Sequence, residues 1–152
     1  MSEASGAPGP ASWRVELPHT TAAVPIARSL VRSALAAIEG PEQAAADSDT
    51  AELLTAELVA NAVEHTPGHG PIELVVELFP MSGGCHIEVH DGRPPATEEL
   101  ICPEPGTVDP WQEHGRGLLL IRALSSDCGH RPTPHGKAVW FTLPAVPAQR
   151  RR

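Results

Sequence analysis

Tyrosine is absent from the 152-residue chain, phenylalanine occurs twice and tryptophan three times. Any core must therefore be built from aliphatic side chains, without the large ring area that aromatics bring. Cations are also scarce: 11 Lys and Arg stand against 19 Asp and Glu, a formal net charge of −8. That balance argues against a protein whose main task is to grip nucleic acid phosphates. The C-terminal QRRR is too short to reverse it. No apolar run approaches the roughly 20 residues of a membrane-spanning helix. The opening MSEASGAPGPAS has neither a positive n-region nor an apolar h-region, so no secretory signal is expected there. Cys85, Cys102 and Cys128 form no CxxC pair, which points to reduced thiols and a cytoplasmic location.

The length suits one domain with a real core. Residues 1–11 are rich in Gly, Pro, Ala and Ser, the composition of a disordered tail. The folded domain is expected over 12–144, with 145–152 as a second tail. SWRVELP alternates, with Trp13, Val15 and Leu17 on one side, and predicts a short strand. Thr20 and Thr21 are placed to cap a helix with Pro25 in its first turn. Ile26, Leu30, Val31, Ala34, Leu35 and Ile38 recur at helical spacing until Gly40-Pro41 stops them. In DSDT, Asp49 followed by Glu52 predicts an Asp-type capping box for a second helix, which runs to about His65. IELVVELF (72–79) and CHIEVHD (85–91) alternate at period two and predict a hairpin. A Pro- and Glu-rich loop over 92–113 is long enough to be functional. GRGLLLIRAL opens a third helix, SDCGHR is a weak strand signal and KAVWFTLP a strong one. Helices and antiparallel hairpins without βαβ regularity predict an α+β two-layer sandwich, with helices on one face of a mostly antiparallel sheet.

The second helix carries ELVANAVEH. At about 100° per residue, Glu57 and Asn61 lie about 40° apart, and Glu64 falls about 20° to the other side of Glu57. His65 borders this stripe. Leu54, Leu58, Val59, Ala60, Ala62 and Val63 fill most of the remaining circumference. Such a stripe either faces water or lines a cleft. In a cleft, the Asn oxygen suits Mg²⁺, which prefers oxygen ligands. A carboxylate one turn away can then take a proton from a hydroxyl or water.

Two glycine segments bear on the choice. In HDGRP, Asp91 at a strand end beside Gly92 can accept a hydrogen bond from an amino group; it can equally be an ordinary Asp-Gly turn. In HGRGLLLI, glycines ahead of a helix let backbone N–H groups approach a phosphate, where the helix dipole favours negative charge. The alternative is a glycine hinge before a core helix. His86 and His90 share a strand face about 13 Å apart; they do not converge on one zinc ion and are expected to be ordinary surface histidines. His130 and His135 sit in a Pro-rich turn. Trp13, Trp140 and Phe141 are expected in the core or at its rim. Trp111 in the loop is a candidate cap over a ligand. Lys137 is expected to be solvated.

Taken in order, these segments resemble the GHKL ATPase superfamily, which includes histidine kinase catalytic domains, gyrase and mismatch-repair ATPases. ELVANAVEH resembles its N box, HDGRP its first glycine box and HGRGLLLI its second. The chain is most similar to the stand-alone anti-sigma-factor serine/threonine kinases and their actinobacterial relatives, which share a start like SWRVELP and an end like GKAVWFTLP. The resemblance implies a Bergerat ATP-binding fold with ATP and Mg²⁺ as cofactors. It implies that Asn61 chelates Mg²⁺, that Glu57 is the general base and that Asp91, beside Gly92, reads adenine. It places Gly115, Arg116, Gly117 and Leu118 along the phosphates. Two departures stand out: Arg93-Pro94-Pro95 follows Asp91-Gly92, and Cys128-Gly129 replaces a Trp-Gly pair.

The expected function is an ATP-dependent serine/threonine kinase acting on a small antagonist protein. The alternative is a nucleotide-dependent interaction module that binds a sigma factor or its antagonist without transferring phosphate. The helix IARSLVRSAL contains no phosphoacceptor histidine, so a complete sensor kinase is not expected. Nor is a gyrase-like machine, for lack of a coupled second domain. A homodimer through the first helix and the sheet edge is an expectation from relatives. Direct contact with nucleic acid or membrane is not expected.

Overall fold

A computed structural model of the chain describes residues 11–38, 46–65, 70–79, 82–91, 116–134 and 136–146. Five strands, β1 (Ala11–Leu17), β2 (Ile72–Leu78), β3 (Cys85–Asp91), β4 (Asp127–Thr133) and β5 (Gly136–Leu143), form one sheet in the order β1-β2-β3-β5-β4. Every neighbouring pair is antiparallel. Three helices, α1 (Ala23–Ile38), α2 (Ser48–His65) and α3 (Arg116–Leu124), complete the described elements. α2 packs against α1, α3, β3 and β5.

Alternation decides which sheet face is buried. Leu17, Ile72, Leu74, Val76, Leu78, Cys85, Ile87, Val89, Val139, Phe141 and Leu143 join the helix residues in one apolar cluster. The intervening residues, among them Arg14, Glu88 and Trp140, share the opposite face through their register. This is the two-layer sandwich that the strand pattern predicts. As expected, the core is aliphatic, with Phe141 its largest wholly buried side chain. Between β2 and β3 the chain turns through Gly83, at φ 83°, and Gly84, where a Cβ would stand 2.7 Å from the Leu143 carbonyl oxygen.

α1 begins as its sequence suggests. The Thr20 hydroxyl accepts from the Ala22 N–H at 3.2 Å, and the Thr20 carbonyl accepts from Ala23 at 2.9 Å. Its inner stripe differs from expectation. Ala23, Ala27, Val31, Ala34 and Leu35 are buried, whereas Ile26 is 42% exposed. The alanines allow α1 a close approach to its neighbours, and interaxial distance depends on the side chains at the contact. Leu30 lies with Trp13, Val15 and Ala34 along a groove between α1 and β1.

The cap of α2 is Asp47, not Asp49. The Asp47 carboxylate accepts from the Thr50 N–H at 3.0 Å and from the Thr50 hydroxyl at 2.8 Å. Asp49 lies within the first turn, where the helix dipole favours a negative charge. Glu52, expected to complete a capping box, instead accepts two hydrogen bonds from Arg32, at 2.8 and 2.9 Å, and one from Ser48 at 3.2 Å. The Arg32 bonds hold the buried Glu52 carboxyl below its usual range and tie α1 to α2.

β4, the weak strand signal, is a full edge strand. Gly129 pairs in register with Trp140, and a Cβ there would meet ring atom Cζ2 at 2.8 Å. Gly129→Ala therefore forces the ring or the edge strand to move. The expected cost is about 1–3 kcal/mol, the range for overpacking, read as a lower urea midpoint. An unchanged midpoint would show that the ring is not held there.

Candidate functional site

The polar stripe of α2 straddles the rim of the core. Asn61 is buried at 9% exposure, Glu57 is half-buried and Glu64 is exposed. Ala60, expected on the apolar side, is exposed, as is Leu53. The solvent face of α2 therefore includes Leu53, Ala60 and Glu64, and Asn61 lies inward of it. Leu58, Val59 and Ala62, beside Asn61 in sequence, are buried. Among the described residues, the buried polar side-chain atoms without a hydrogen-bond partner are Thr55 Oγ1 and Ser125 Oγ; the Asn61 amide is not one of them. The amide oxygen is a neutral hard donor that fits Mg²⁺.

Asp91 closes β3, the central strand, and is 4% exposed. Its register neighbours are Ile72 on β2 and Lys137 on β5. This row belongs to the helix-facing side, since Asp91 lies two residues beyond Val89 and four beyond Ile87. The fold thus carries Asn61 and Asp91 on elements that pack together, α2 and β3. A cleft of about 600 Å³ takes in Asp91 and His90, with Arg14, Glu16, Glu73 and Arg131, but neither Glu57 nor Asn61. Arg116 starts α3, followed by Gly117 and Leu118 in its first turn. Gly92 and Gly115 lie outside the described residues, as do the loop over 92–113, Trp111, Cys102 and His135.

The histidines of β3 depart from expectation. They are not simple surface groups, because both bind Glu88, a residue that no motif or periodicity singles out. His86 Nε2 stands 2.8 Å from Glu88 Oε2, and His90 Nε2 2.7 Å from Oε1. Arg131 donates to the same carboxylate from β4, at 2.8 and 3.0 Å. The side chain bridges β3 to β4 across β5. The ring of His86 also stacks on Trp140, with centroids 5.2 Å apart. Burial pushes the Glu88 carboxyl up, yet hydrogen bonds from His86, His90 and Arg131 outweigh it and hold the group far below its usual range. Cys85 is a buried thiol that burial pushes up to about 12, which leaves it a core side chain rather than a nucleophile. No described helix is long and apolar enough to cross a membrane.

A five-stranded antiparallel sheet with helices on one face is the architecture of GHKL-type ATP-binding domains. A profile of the histidine kinase-like ATPase domain matches residues 17–143, and the chain belongs to that family. Among solved structures it is similar to the RsbU and RsbW domains of Rv1364c from Mycobacterium tuberculosis, with a TM-score of 0.61 at 20% identity. The match covers 90% of this chain and 33% of that one, so the chain spans about a third of its structural neighbour. Comparison with curated proteins gives no match.

The Glu88 carboxyl titrates lower in the folded chain than its ordinary value of 4.5. Its contribution is therefore complete above that value and is lost as pH falls below it. Replacing Glu88 by Gln should cost about 2 kcal/mol at neutral pH, the scale of hydrogen bonds to a charged group. The same variant should lose less stability than the wild type between pH 5 and pH 3, within the window set by that ordinary value. Urea titrations across this range check both; parallel pH curves would deny Glu88 the role.

Proposed function

We propose that this chain is an ATP-binding regulatory protein kinase that transfers phosphate to a Ser or Thr of a small antagonist protein, in the manner of anti-sigma-factor kinases. The observation that carries the reading is the Asn61 amide, buried in an apolar helix packed on the strand that ends in buried Asp91. The family match supports ATP as the nucleotide. The structural likeness to a protein with an RsbW domain supports a partner in sigma-factor regulation.

In this reading Asp91 accepts a hydrogen bond from the adenine amino group. Its burial sharpens the choice, because a buried acceptor left unpaired by a wrong base costs about 1–3 kcal/mol. Asn61 holds Mg²⁺, which when bound supplies counter-charge to the phosphates. Arg116 and the amides of the Gly115–Leu118 segment add donors at the α3 N-terminus. Glu57, about one turn before Asn61, is half-buried and so retains access to solvent. That suits a base that must receive a proton from a partner's hydroxyl. Positioning and charge neutralisation supply most of the acceleration, and base assistance contributes on the order of 10²–10⁴.

Glu57→Gln should lower phosphate transfer by about 10²-fold or more while ATP affinity changes little. Single-turnover transfer from γ-labelled ATP to an antagonist protein reads the first quantity, and calorimetry the second. Equal transfer rates would remove the base assignment. Asn61→Ala should weaken ATP binding in the presence of Mg²⁺ by about 10-fold or more, as loss of a metal ligand does; unchanged affinity would refute the metal role. ATP binding without transfer to any antagonist would favour a nucleotide-dependent interaction module.

A further inference from the structure

Two residues beyond β1, the half-buried His19 reaches a distant part of the chain. Its Nδ1 lies 3.3 Å from the Gly70 carbonyl oxygen and its Nε2 3.3 Å from that of Val63. A carbonyl only accepts, so the neutral ring bonds one of the two, and the imidazolium, with an N–H on each nitrogen, bonds both at once. Val63 belongs to the last turn of α2, and Gly70 stands two residues ahead of β2. An α-helix leaves its last four carbonyls without intrahelical partners. In α2 those belong to Ala62, Val63, Glu64 and His65. The imidazole thus supplies a donor at the negative end of the α2 dipole.

Asn61 lies four residues from the end of α2, next to the turn where helices fray first. A metal ligand must be held within about 0.5 Å of its working position. Some contact from outside the helix has to fix that turn. We propose that His19 is a positioning residue: it staples the last turn of α2 to the approach of β2 and so sets the Asn61 amide for Mg²⁺. The proposal rests on the reading of Asn61 as the metal ligand. Residues that orient a ligand cost about 10–100-fold in metal affinity when lost. His19 acts through the backbone, one step further away, and about 3–10-fold is expected on that scale.

The test measures ATP affinity of the full chain by calorimetry, once with Mg²⁺ and once with EDTA. The ratio of the two is the gain due to metal. His19→Ala should reduce that ratio about 3–10-fold and leave the metal-free affinity within about twofold. His19→Gln, whose amide can still donate, should recover most of the loss. The double variant His19→Ala/Asn61→Ala should lose no more of the ratio than Asn61→Ala alone, since contacts acting through one group do not add. A ratio unchanged in His19→Ala, or affinities that fall equally with and without metal, would overturn the staple. A wild-type ratio retained by Asn61→Ala would instead overturn the metal reading itself, and the staple with it. Should His19→Ala fail to fold, His19→Phe, which keeps the ring bulk but cannot donate, decides: a reduced ratio with metal-free affinity within about twofold supports the staple, and an unchanged ratio or an equal loss of both affinities overturns it.

Discussion

The parity of β3 is the constraint on which the rest of the molecule depends. Its odd-numbered residues, Cys85, Ile87, Val89 and Asp91, are buried, and the first three belong to the helix-side cluster. His86, Glu88 and His90 occupy the other face. A slip of one residue would carry Asp91 to the open face and drive Glu88 into an aliphatic core. The cost of burying that charge without partners exceeds anything the core could return. On its own face Glu88 is met by two histidines and a two-pronged arginine, which also locks the edge strand β4 to the centre. The contacts that fix the open face therefore also orient the acid of the candidate site on the closed one.

The helix layer solves a related problem with small residues. Alanines at 23, 27 and 34 on α1, and at 51 and 62 on α2, are buried. They let two helices and a sheet meet closely without aromatic bulk. The Arg32–Glu52 pair ties α1 to the first turns of α2, while Asn61 occupies its far end. One end of α2 thus serves packing and capping, and the other carries the proposed metal ligand.

This division explains what was legible in the sequence. The strands were readable because alternation records a one-sided sheet, and α1 and α2 because period 3.6 records a one-sided helix. DSD offers two carboxylates two residues apart, and spacing favours Asp49, whereas the fold sets the Asp47 carboxylate on the Thr50 N–H. Hydrophobicity and spacing alone turn Ile26 and Ala60 inward, because neither shows how far a neighbouring helix extends over them, and both are exposed. Glu88 was invisible for a different reason. Its partner Arg131 lies 43 residues away in the weakest strand signal of the chain. Asn61 stands out as an amide among apolar residues, yet the nucleotide role proposed for it rests on likeness to a family, not on periodicity.

Charge adds a further requirement to the proposed reading. In that reading a chain of net charge −8 has to hold a polyanion, and four of its ten arginines are held by carboxylates. Arg14 is bound to Glu73 and Arg131 to Glu88 on the open sheet face, while Arg28 and Arg32 both face Glu52. Moving any of them to a phosphate would abandon a carboxylate, and for the buried Glu52 and Glu88 that penalty is several kcal/mol. In the proposed reading, counter-charge at the nucleotide comes from a bound divalent ion, from the N-terminus of α3 and from Lys137, the register neighbour of Asp91. In the proposed reading, a chain this acidic draws nucleotide affinity from the metal as well as from these few donors. Its grip on ATP should accordingly depend on magnesium more steeply than a lysine- or arginine-lined pocket would require.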